Sequence, residues 1–240
     1  MTITFITFGN NKYNEALIRI KKEAESFNIF DNIIIYNEDY LKNDKIFWEK
    51  HGDFINNNNR GYGYWLWKSY LTLKTLENMN ENDILLYCDA GCTLNVNGLS
   101  RFNDYLNIMK DNEILSFELN FLEKIWTKMD LFKYLDMDKP KYFDSKQLVG
   151  GIYFIKKTER TINIINEWYN IMSANYNLIN DSKSIIINDI SFKEHRHDQS
   201  VFSLLRKKYG SFIIKDETYF HNWNPNIIKK YPILATRKNK

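Results

Sequence analysis

The chain reads as an α/β protein with a mostly parallel, doubly wound central sheet flanked by helices, and three observations predict it. Short apolar runs, the clearest at residues 84–88 (ILLYC), suit strands covered on both faces. Such runs alternate with segments of helical spacing in a β-α-β-α-β order, which favours parallel strands joined by crossover helices. Neither an internal repeat nor a linker-like stretch divides the 240 residues, so one domain is expected over 1–240, long enough to bury a substantial core.

The first strand is expected at 3–8, where β-branched and aromatic residues run up to Gly9 and Asn10. Residues 13–27 carry Leu17, Ile18, Ile20 and Ala24 at helical spacing, and 33–36 (IIIY) make the second strand. A polar stretch with Trp48 and His51 follows, and the Asn tract 56–59 reads as a loop. Residues 64–76 form a long helix that leads into strand 84–88, which stops on Asp89. Helices are expected at 99–109 and 125–135, then an apolar strand at 148–155 broken by Gly150 and Gly151. Further helices are expected at 160–174 and 198–208, a short strand at 212–214, and an irregular aromatic segment at the end.

A formal net charge of +3 is too small to imply a nucleic-acid partner without a clustered basic face. Much of the excess sits near the end, at Lys229, Lys230, Arg237, Lys238 and Lys240. That tail suits either a solvated, frayed terminus or contact with an acidic membrane surface or substrate phosphates. Cys88 and Cys92 have no second pair to complete a zinc site, and both are expected to be reduced. No signal-like segment and no apolar run of the roughly 18 residues needed to cross a bilayer is present, so a cytoplasmic location is expected.

Four stretches carry chemistry. In DILLYCDAG (83–91), Asp89 leaves a buried strand at the edge where α/β sheets bind ligands, while Gly91 allows close backbone approach; the alternative is that both only shape a turn. In RGYGYWLWK (60–68), Arg60 and Lys68 stand among rings at a loop-to-helix junction beside that strand, whereas about half of the aromatics are expected to pack against the sheet. In HRHDQS (195–200), Asp198 suits a helix cap, yet His195, Arg196, His197 and Gln199 make a larger polar knot than a cap requires. In YFHNWNP (219–225), His221 is either a packed histidine or a partner of Asp89 at a metal.

Taken in order, TITFITFGN, RGYGYW, DAG, QLVGGIYFI, HDQS and a late histidine resemble the GT-A fold of nucleotide-sugar glycosyltransferases, most closely the retaining family 8 type. The resemblance runs through nearly the whole chain. It implies a metal-assisted transfer from a nucleotide-diphosphate sugar, a UDP-sugar above all, to a glycan or lipid-linked saccharide. It puts Asp89 at the first position of the DxD metal motif and His221 at the third metal position, with Mn²⁺ or Mg²⁺ as the ion. Thr7, Phe8 and Gly9 would hold base and ribose, Arg60 with Lys68 beside it the diphosphate, Gly150 and Gly151 the donor sugar, and Asp198 with Gln199 the space beneath the anomeric carbon. Gly91 stands where the motif has its second carboxylate, and HNWNP matches only part of the family's HxGxxKPW pattern. The metal is then held by Asp89, His221, diphosphate and water, or is dispensable. An inverting enzyme with Asp198 as base, a sugar-phosphate nucleotidyltransferase and a non-catalytic carbohydrate- or nucleic-acid-binding module are the alternatives.

Overall fold

The computed structural model describes residues 1–240. Its first half runs β1 (Ile3–Gly9), α1 (Asn14–Phe27), β2 (Asn32–Asn37), α2 (Glu38–Asn43), α3 (Lys45–Asn57), a single turn α4 (Gly61–Tyr64), α5 (Leu66–Glu77) and β3 (Ile84–Cys88). Then come β4 (Thr93–Leu94), α6 (Leu99–Asp111), β5 (Ile114–Leu122) and three short helices, α7 (Glu123–Trp126), α8 (Met129–Tyr134) and α9 (Pro140–Phe143). The chain closes through β6 (Lys146–Leu148), β7 (Ile152–Lys156), α10 (Glu159–Ala174), α11 (His197–Tyr209), β8 (Phe212–Lys215), α12 (Pro225–Ile228) and β9 (Ile233–Leu234).

Strand β1 lies between β2 and β3 and is parallel to both, so the chain reverses its winding there. Strand β3 pairs antiparallel with β7; β5 pairs antiparallel with β7 near its start and with β6 further on, and runs parallel to β8. All strands of this sheet except β6 and β7 therefore point the same way. Alternation along β3 sends Leu85 and Tyr87 to the side covered by α5, α10 and α11, and Ile84, Leu86 and Cys88 to the side covered by α1 and α6. Burial on both faces is why this strand reads as an unbroken apolar run.

Several expectations needed correction. The polar stretch before residue 60 is two helices, started by Asn37, whose Oδ1 accepts from Tyr40 N at 3.0 Å, and by Asp44, whose Oδ1 accepts from Phe47 N at 3.1 Å. Their buried anchors, Leu41, Phe47 and Ile55, are too sparse to show a helical stripe. Strand β5 was not anticipated, because it is buried at its start and half-exposed at its end and so shows no single period. The helix expected at 125–135 is split between α7 and α8, where Thr127 turns back to Glu123 Oε2 (2.9 Å) and Lys128 to Asn177 O (3.0 Å). The basic tail is tied down as well: β9 pairs with β4, and Lys238 N donates to Gly91 O at 2.9 Å. No helix is long and apolar enough to cross a membrane.

Candidate active site

Two glycines make possible the segment that delivers Lys68. Residues Gly61, Tyr62, Gly63, Tyr64 and Trp65 all have positive φ, between 52° and 82°, so α4 and its cap form one left-handed turn ahead of α5. Three of these residues carry side chains, at a cost on the order of 1–2 kcal/mol each. Such strain persists only where neighbours hold it. Here Trp67 Nε1 donates to Gly61 O (3.0 Å), the Phe8 and Trp67 rings lie 3.9 Å apart between centroids, and Trp65 stacks on His197. The turn starts α5 so that Lys68, in its first turn, points beneath the end of β3.

Lys68 is 2 % exposed and joins two carboxylates. Its Nζ lies 2.8 Å from Asp198 Oδ2 and 3.2 Å from Asp89 Oδ1, and it donates to Gly150 O at 3.3 Å. Burial opposes the ammonium charge, but Asp198 and then Asp89 outweigh it and hold Lys68 above the usual lysine range. Burial also pushes the Asp198 carboxyl up to about 6, against the pull of Lys68. Asp89, with 43 % of its side chain exposed, is the member that meets solvent, and its Oδ1 also accepts from Tyr87 Oη at 2.7 Å. Asp198 does not cap its helix: α11 begins at His197 with no side-chain cap, and the carboxylate is committed to Lys68 instead.

The break between β6 and β7 fits against this array. A side chain at Gly151 would collide with Asp89 Oδ2, and a Cβ at Gly150 would lie 2.6 Å from Gln199 Cβ, so both positions require glycine. Gln199 Oε1 accepts from Gly150 N (3.0 Å), and its amide donates to Gln147 Oε1 (2.6 Å), which ties it to the wholly buried Glu123 through Gln147 Nε2 (3.0 Å). Arg206, fully buried and without an acidic partner, donates to Val149 O at 2.8 Å; burial lowers its pKa to about 9. Sequence reasoning did not single out Tyr87, Glu123, Gln147 or Arg206. In sequence Tyr87 is one more residue of an apolar strand, and the only trace of the rest is polar side chains beside or inside apolar runs.

The remaining candidates are placed differently. Thr7 and Phe8 are 0 % and 4 % exposed, so their side chains belong to the core, and only Gly9 and Asn10 reach the sheet edge. Arg60 is held by both oxygens of Asp181 (3.0 Å each) and by Glu194 (3.4 Å), on the rim beside His197, and is not drawn to Asp89. His197 Nδ1 donates to Ile179 O (2.6 Å), and His195 Nδ1 accepts from Lys128 N (3.2 Å); both rings are buried supports of that rim. His221 is exposed beside Tyr219.

These residues fit a divalent cation poorly. A hard ion of this kind is held by several oxygens in near-octahedral geometry. Gly91 supplies none from a side chain, Asp89 is already paired with an ammonium, and nowhere do three His, Cys, Asp or Glu side chains converge.

No protein-family model matches the sequence, and no relative is found among curated sequences. Solved structures do match. A glycosyltransferase involved in the glycosylation of the major capsid of PBCV-1 superposes with a TM-score of 0.52 at 11% identity, over 98% of this chain and 94% of that one. Mouse xyloside xylosyltransferase 1, in its apo form, gives 0.51 at 9% identity, over 98% and 97%. At such identities the likeness is one of architecture. Over nearly the whole length of both chains, this protein has the GT-A glycosyltransferase fold.

Proposed function

We propose that the chain is a glycosyltransferase that moves a sugar from a nucleotide-diphosphate sugar, with UDP as the nucleotide, to a saccharide acceptor. The observation that carries this reading is the buried Asp198 and Lys68 pair joined to the half-exposed Asp89 at the carboxyl end of β3, where open α/β sheets bind their ligands. A half-exposed carboxylate there can accept hydrogen bonds from sugar hydroxyls, and the glycine pair lets Gln199 and Asp89 close against the backbone of 150–151, which fixes that carboxylate in place. Asp198, 4 % exposed, is out of reach of an acceptor hydroxyl, and a general base must touch the proton it takes. It acts through Lys68 as a positioning residue, and Gln199 likewise positions Gly150. This favours reaction on one face of the sugar with retention of configuration over inversion by Asp198.

A lipid-linked acceptor is supported by the loop that leaves the rim at Asp181. Ile185, Ile187 and Ile190 are 90%, 91% and 104% exposed, yet the loop is anchored by Asp130, which accepts from Ile185 N (2.9 Å) and Ile186 N (2.8 Å). Ordered apolar tips beside a sugar site suit a bilayer surface.

A thermal-shift panel of nucleotide sugars tests the reading. A donor at about 100 times its Kd adds about 2.7 kcal/mol, which in a chain of this size raises the melting temperature by roughly 5–10 °C. With the donor so found, an α-linked product from an α-linked donor, formed faster on acceptor in vesicles than on soluble acceptor, is the expected outcome. Stabilisation by oligosaccharides with no response to any nucleotide sugar would identify a binding module instead.

A further inference from the structure

The Asp89 to Cys92 turn is surrounded by cations. Arg19 donates to Ala90 O (3.0 Å) and Cys92 O (2.8 Å) from one side, and Lys68 holds Asp89 from beneath. The segment after β9 crosses the third: Thr236 Oγ1 (3.0 Å) and Lys238 N (2.9 Å) both donate to Gly91 O. A Cβ at position 91 would lie 3.3 Å from Arg237 Cα, so the place of a second motif carboxylate is taken by the backbone of an arginine. Of the cations on this side, Arg19 is paired with Glu23, and Arg60 and Arg196 share Asp181 and Glu194. Arg237 is exposed, has no carboxylate partner, and lies over the Tyr219 ring at 5.3 Å. Its charge is felt across the rim: burial first, and then Arg237 and Arg60, push the Arg196 guanidinium down despite Glu194.

We propose that Arg237 neutralises the donor diphosphate in this protein, in the role that a divalent cation at Asp89 would otherwise fill. A guanidinium forks onto phosphate oxygens without needing a protein carboxylate, and a chain that has lost the second acid of the motif retains a way to stabilise a leaving diphosphate. The inference rests on the nucleotide-sugar reading above and narrows it to one manner of holding the phosphates.

Calorimetry with UDP, GDP, CDP and ADP, on the full chain stripped with EDTA and again with Mn²⁺ added, separates the two. The expected result is one nucleotide whose Kd in the two buffers agrees within about threefold, weakened about tenfold or more by Arg237→Ala and partly restored by Arg237→Lys. Arg237 is exposed, so both variants keep the fold, as a matched melting temperature will show. Binding that appears only with Mn²⁺, or an Arg237→Ala variant that binds as tightly as the parent, overturns the proposal and leaves the nucleotide-sugar reading standing. No binding by any of the four nucleotides in either buffer overturns both.

Discussion

Lys68 is the residue on which the site turns, because two carboxylates depend on one buried ammonium. Lys68→Met leaves Asp89 and Asp198 facing each other without a counter-charge, and should cost about 3–5 kcal/mol of stability in urea unfolding, as loss of one partner from a buried pair does. Asp198→Asn is milder to the fold, since Lys68 keeps Asp89, but should reduce turnover about a hundredfold. The pH profile separates chemistry from unfolding. Asp198 titrates at about 6 in the folded chain against 3.8 when unperturbed, so the folded state takes up its proton first as pH falls. As far as this group sets it, stability rises between pH 6 and 4, while Lys68 loses its charged partner over the same window. Turnover should therefore fall below pH 6 while the melting temperature attributable to this group does not, and Asp198→Asn should flatten that limb. A parent enzyme with undiminished turnover through that range would show that the ionised Asp198 is not needed.

At the scale of elements, the parts that follow one strong period are legible in sequence, as are Asp89, Lys68, the glycine pair and the HDQS stretch as candidates, whereas the turn and the polar contacts that join them are not. Strand β3, the helices on either side of it and the glycine break near residue 150 follow directly from apolar runs and their spacing. The left-handed turn at 61–65 does not, because its five positive φ values are imposed by packing around Trp65, Trp67 and His197. Its alternating glycines are its only local trace. At Asp198 a cap and a site role are both legible, since Asp is favoured at caps, and only the fold reveals Lys68 opposite it. Gly63 tests the turn. With φ of +82° and a Cβ that would lie 2.7 Å from Ile55 Cγ1, Gly63→Ala should destabilise by more than about 1 kcal/mol and lower turnover by displacing Lys68. A variant with parental stability and activity would mean that the left-handed turn is not what positions α5.

For the molecule as a whole, the parallel start through β1, β2 and β3 is foreseeable from the βαβ pattern, whereas the place of β5 and of the closing segment is not, since nothing local in residues 233–238 says that they will lie on the Asp89 turn. That long-range contact turns a basic tail into a wall of the site. Asp89 is proposed as the carboxylate that meets the substrate, and the most direct measurement of that role is the rate of nucleoside-diphosphate release from the best donor by the parent and by Asp89→Asn. The asparagine keeps the volume and can still accept from Tyr87, while Lys68 retains Asp198, so the melting temperature should change by no more than about 2–4 °C, equivalent to roughly 1 kcal/mol. The expected result is a rate at least about a hundredfold lower; a rate within about twofold of the parent, with the fold intact, would contradict the assignment of this edge of the sheet as the active site.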